Sequence, residues 1–212
     1  MILIHRRSTS LHPKISSILF FLIIGVVLTI ISCRSGELTN DAYSGSDLKM
    51  LADLNTNHNG GRTVRFESSN IDVYIAMPDF NANMKKKIEA WETASGGRIN
   101  FQYTRSRVSE GIEIYSFFQM PGTCGSTAPD HDNGVIKKSV IVLDPISYIS
   151  ICSETLKHEI GHSIGLLAHT DDNGLMDKEG GDGDISPQIE RIIKTIYNYP
   201  SDTPIGNITI VQ

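Results

Sequence analysis

Tryptophan and cysteine are scarce in this chain, with 1 and 3 copies among 212 residues, and positive charge is in the minority, 19 Lys and Arg against 24 Asp and Glu. The formal charge of −5 and a pI near 5.8 exclude a polycationic nucleic-acid binder. No basic stripe runs against that balance. The densest cationic cluster, Lys85-Lys86-Lys87, falls on a predicted helix and reads as a solvated face. Internal repeats and low-complexity blocks are missing beyond the first third, which excludes solenoid and array architectures.

What is present begins with an N-terminal signal. Arg6, Arg7 and Lys14 precede an apolar run from Ile15 to Ile31, and Ser32 leads into Cys33. A basic start, an apolar stretch and a small residue before the cut describe export. A cysteine directly after the cut resembles a bacterial lipoprotein signal, so residues 1–32 are expected to be removed and Cys33 lipidated. The alternative is an uncleaved anchor helix, for which 17 residues is near the lower limit. Either outcome places the rest outside the cytoplasm, tethered to a membrane. Cys124 and Cys152 then remain as a candidate disulfide pair, with two buried free thiols as the alternative.

Residues 33–62, rich in Ser, Gly, Asn and Asp, read as a flexible spacer with one short helix around Leu48 to Leu54. The domain is expected over 63–212. Alternation predicts strands at Ile71 to Ile75, Ile99 to Tyr103 and Ile112 to Phe117, and a buried strand at Ser139 to Leu143. A helix through Met84, Ile88 and Trp91 follows a cap at Asn81 or Asn83 and stops at Gly96-Gly97. The segment from Pro121 to Asn133-Gly134 reads as a loop. Ser153 is placed to cap a helix running to about Ile164, and Pro187 opens a last one carrying Ile189, Ile192, Ile193 and Ile196. Strands alternating with helices in this order predict an α/β domain, with a mixed, mostly parallel sheet.

The active-site candidate is His158-Glu159-Ile160-Gly161-His162. On a helix the two histidines stand one turn apart on one face, so their imidazoles can share a zinc ion. Glu159, next to the first ligand, reaches the same site without ligating and is the candidate general base. Two ligands leave the zinc shell incomplete. Gly165 can turn the chain out of the helix and bring His169 back as the third, with His131, Asp171 or a further water as alternatives. Gly181-Asp182-Gly183-Asp184 is too short for a calcium loop and reads as solvated.

The run from His158 to Gly165 resembles the zinc-binding motif of the metzincin clan of metallopeptidases, most closely its matrixins. Leu175-Met176 resembles that clan's Met-turn. The resemblance spans about 62–199. It implies His158, His162 and His169 as zinc ligands, Glu159 as general base, Met176 as the floor of the site, and peptide or protein as substrate. Two positions depart from the pattern. Leu166-Leu167-Ala168 puts one residue too many between Gly165 and His169, and Lys178 stands where some members carry a tyrosine after the Met-turn. Other readings are a gluzincin-type peptidase with Glu190 as third ligand, and a surface lipoprotein that holds zinc without catalysis. A monomer is expected.

Overall fold

The computed structural model describes residues 45–119, 122–145, 152–178 and 183–212. The expected signal segment, Cys33 and the first part of the spacer lie outside these residues. Strands β1 (Arg65–Phe66), β2 (Asn70–Ala76), β3 (Asn100–Thr104), β4 (Gly111–Ser116) and β6 (Val135–Leu143) join in the order β1-β6-β4-β2-β3, all parallel. Strand β5 (Gly125–Asp132) pairs antiparallel with β6. The sheet is thus mixed and mostly parallel, with helices packed on it, and the C-terminal helix packs against other helices.

Strand β5 was expected as a loop. Its residues lack apolar alternation, and Pro129 argues against a strand interior. Among the described residues it pairs only with β6, and an edge position tolerates the proline. The signal that could have found it is Asn133-Gly134, whose φ values of 48° and 76° make the tight hairpin turn into β6.

Helix α1 (Ser46–Leu54) brings a correction to the spacer. Leu51 and Leu54 are completely buried, and Asp47 pairs with Arg191 on helix α4 (Pro187–Ile196). Among the described residues the packed part of the chain therefore begins with α1, upstream of residue 63.

Helix α2 (Ala82–Ala94) begins where Asn81 accepts from the amides of Asn83 and Met84, which settles the choice of cap. Its Met84, Ile88 and Trp91 recur at i, i+4 and i+7 and enter the core. The Trp91 indole donates to the Lys157 carbonyl at 2.8 Å, pinning α2 to helix α3 (Thr155–Ser163). Lys87 departs from the solvated face expected for its cluster. It is buried, donates to the Ser153 carbonyl and pairs with Glu154 at 2.8 Å, so a cation holds the entry of α3. Glu154, not Ser153, occupies the cap position there, and no side chain caps it. Helix α4 is capped by Ser186 and buries its isoleucine stripe.

Cys124 and Cys152 are disulfide-bonded, with Cα atoms 6.0 Å apart across 28 residues of sequence. The bond joins the start of β5 to the turn entering α3.

Candidate metal centre

Helix α3 presents His158 and His162 on one face, with their Nε2 atoms 3.0 Å apart. Gly165, at φ 116°, ends the helical path, and a Cβ there would sit 2.6 Å from the Val64 carbonyl. The chain then returns with His169 Nε2 3.2 Å from His162 Nε2. The extra residue is absorbed between these points. Leu166 turns inward to full burial, and its amide bonds to the Gly161 carbonyl at 3.0 Å. Leu167 donates to the Leu54 carbonyl at 2.6 Å. Asn55 then holds the turn from below, donating to the carbonyls of Val64 and Gly165 at 2.7 Å each. Sequence reasoning missed Asn55, because nothing local marks a buried asparagine that acts across 110 residues.

The three histidines form a cluster able to hold a metal ion, with ligand atoms all within 4.8 Å of one another. Among the described residues His131, Asp171 and Glu190 do not join it. Glu190 instead faces Lys194 on its own helix, at 3.8 Å.

The donor set suits a divalent metal ion on chemical grounds. His158 Nδ1 lies 2.6 Å from the Leu175 carbonyl and His162 Nδ1 lies 2.5 Å from the Leu166 carbonyl. A carbonyl only accepts, so both Nδ1 atoms carry the proton and both Nε2 atoms present lone pairs. Two lone pairs facing each other at 3.0 Å repel unless a cation lies against both. The spacing is close to the roughly 3.3 Å that tetrahedral zinc ligation imposes on neighbouring nitrogens.

Burial lowers the pKa of all three imidazoles, and that of His162 falls to about 4. They are neutral near pH 7, the state a metal requires. Glu159 is only 6% exposed, and burial pushes its carboxyl up. The Thr127 hydroxyl opposes that shift by donating to Glu159 Oε2 at 2.5 Å. Met176 is buried against α3: a Cβ on Gly161 would meet its sulfur at 2.7 Å and Trp91 at 2.8 Å. The loop from His169 closes on itself, with the Thr170 amide bonded to the Met176 carbonyl at 2.8 Å. Asp172 accepts from the Thr170 hydroxyl and the Gly174 amide at 2.6 and 3.0 Å.

A second charged centre lies away from the histidines. Glu113 on β4 is fully buried and accepts from Arg107, Val108, Tyr115 and Lys138 at 2.8 to 3.2 Å. Burial raises its pKa, but these donors outweigh burial and hold it at about 2. The two centres predict two acid steps for the metal-free protein. His162 is depressed, so the unfolded chain binds the extra proton first, and stability falls as pH drops from about 6.5 to about 4. Glu113 is depressed as well, and its contribution is lost between about 4.5 and 2. Melting temperature measured against pH should show both steps, and His162→Ala should shrink the upper one, which His158 and His169 share, while leaving the lower one unchanged.

No family model and no curated protein matches this sequence. Among solved structures the chain is similar to a chain described as "GM1 bound form of the ECX AB5 holotoxin", at 15% identity over 70% of this chain and 87% of that one, with a TM-score of 0.43. A likeness that low assigns neither fold nor function.

Proposed function

We propose that this chain is a zinc-dependent endopeptidase of the metzincin type, exported and lipid-anchored through Cys33. One observation carries the reading: three neutral imidazoles converge while the adjacent Glu159 keeps a buried carboxylate on the same helix. A structural zinc site has no need of that carboxylate.

In this reading His158, His162 and His169 hold the metal, which when bound acts as a Lewis acid and makes a water molecule acidic at neutral pH. Glu159 takes the proton of the attacking water on its carboxylate and later delivers it to the leaving amine. Its raised pKa suits that exchange, since a carboxyl poised nearer neutral both accepts and returns a proton. The Leu175 and Leu166 carbonyls keep the first two imidazoles oriented. Substrate in this reading is peptide or protein.

A surface lipoprotein that binds zinc without turnover accounts equally for the histidine cluster, which needs no catalytic group beside it to hold a metal. The experiment is cleavage of a broad peptide library by the purified full chain, with and without a zinc chelator. Chelator-sensitive cleavage at internal bonds is the expected result. Tight zinc binding with no cleavage of any peptide establishes the second reading instead. His169→Ala should lower zinc affinity about 100-fold or more in either case, because a two-histidine remnant leaves the shell open. His131→Ala should leave affinity unchanged.

A further inference from the structure

Strand β5 supplies the part of this site that the histidine motif does not contain. Gly125 and Thr127 are two apart on the strand, so they share one face, and both meet Glu159. Thr127 Oγ1 donates to Glu159 Oε2 at 2.5 Å and lies 3.2 Å from the Glu159 carbonyl. Gly125 contributes by having no side chain. A Cβ there would stand 2.6 Å from Thr155 Cγ2, 3.0 Å from Leu143 Cδ2 and 3.2 Å from Glu159 Oε1. Its backbone is not in the left-handed region, so close packing alone explains the glycine.

We propose that Gly125 and Thr127 form a cradle that fixes the rotamer of Glu159, with Thr127 as the positioning residue for the hydrolysis proposed above, on which this inference rests. A glutamate has three side-chain torsions, and leaving them loose costs a reaction the pre-set alignment it depends on. Threonine is well chosen for the task. Its β-branched side chain is stiff at χ1, so the hydroxyl is itself held still. With Oε2 engaged by that hydroxyl, Oε1 is the oxygen left to take the proton from water. Oε1 lies beside Gly125, where a Cβ would stand 3.2 Å from it.

The cradle is anchored at its near end. Cys124, adjacent to Gly125, is bonded to Cys152, whose carbonyl accepts from the Thr155 amide at 3.1 Å. The same covalent tie therefore joins the strand carrying the cradle to the helix carrying Glu159. A hydroxyl placed two residues along an unpatterned strand gives no signal in the sequence. It becomes visible only through the β5–α3 contact.

Thr127→Val keeps the shape and removes the donor, whereas Thr127→Ser keeps the donor. With the zinc-loaded full chain, Thr127→Val should lower kcat on the order of 10- to 100-fold while KM stays within about twofold. Thr127→Ser should restore kcat to within about threefold of the parent. Zinc stoichiometry should be the same in all three. A second readout does not depend on turnover: the side-chain carboxyl carbon-13 resonance of Glu159, assigned by its loss in Glu159→Gln. That resonance should move in Thr127→Val, stay in Thr127→Ser, and move in Gly125→Ala, where the hydroxyl survives but Oε1 is crowded. An unmoved resonance in Thr127→Val overturns the cradle. An increase in kcat for Thr127→Val overturns the positioning role and shows that Thr127 holds Glu159 back. If the parent chain cleaves nothing, the peptidase reading fails on its own, and the resonance still decides whether the cradle exists.

Discussion

Glu159→Gln should reduce kcat/KM by about 10²–10⁴-fold while leaving one zinc bound per chain. The two halves of that expectation have separate physical causes. Glu159 is not among the clustered ligand atoms, so its charge is not needed to hold the metal. In the proposed hydrolysis the carboxylate accepts a proton, and an amide of the same shape cannot do so. Glutamine still offers Thr127 an oxygen to donate to, so the β5–α3 contact survives. Because burial already raises the Glu159 pKa, replacing the carboxylate by a neutral amide should hold or raise the melting temperature. Loss of activity with unchanged folding and unchanged zinc then isolates the chemical role. Turnover at the parent rate would remove Glu159 from the mechanism, and loss of zinc would make it a ligand.

The readable parts of this molecule are those where function and local geometry share a short sequence window. His158 and His162 are legible because helical periodicity alone puts them on one face. His169 is legible because it lies seven residues beyond, past a glycine that can turn the chain. The parallel strands announce themselves by apolar runs, as Val140 to Leu143 does. Where partners are distant, the signal disappears. Lys87 looks like one more surface lysine until α3 folds against α2 and offers it Glu154 and the Ser153 carbonyl. Glu113 looks like the polar half of an alternating strand, yet Arg107 and Lys138 draw it into full burial. Strand β5 carries no apolar pattern because it pairs with β6 through its backbone, and the half-buried face it turns to α3 is built from Gly125 and Thr127 and not from large apolar residues.

A chain beginning at Thr63 should fail to fold cooperatively, whereas one beginning at Ala42 should melt like the full protein and bind zinc as tightly. Composition alone points the other way, since Ser, Gly, Asn and Asp dominate residues 33–62. Packing decides the matter. Leu51 is 0% exposed and Leu54 is 1% exposed, and losing a buried leucine side chain costs about 2–5 kcal/mol. Asn55 leaves three buried backbone groups without partners when it goes: the Val64 amide, the Val64 carbonyl and the Gly165 carbonyl. Each unpaired group costs about 1–3 kcal/mol. The Asp47–Arg191 pair is partly exposed and adds at most about 1 kcal/mol. Losses of that size consume the whole of an ordinary domain's stability, about 5–15 kcal/mol. They also fall on the turn that returns His169 to the metal, because Leu54 and Asn55 grip Leu167 and Gly165 directly. Asn55→Ala tests that coupling without deleting the helix. It should lower stability by about 3 kcal/mol and weaken zinc binding while His158 and His162 remain in place. Chemical denaturation followed by circular dichroism, with zinc affinity from chelator competition, measures both effects. A cooperative transition and full zinc affinity in the chain starting at Thr63 would show that α1 is an attachment and not part of the fold that builds the site.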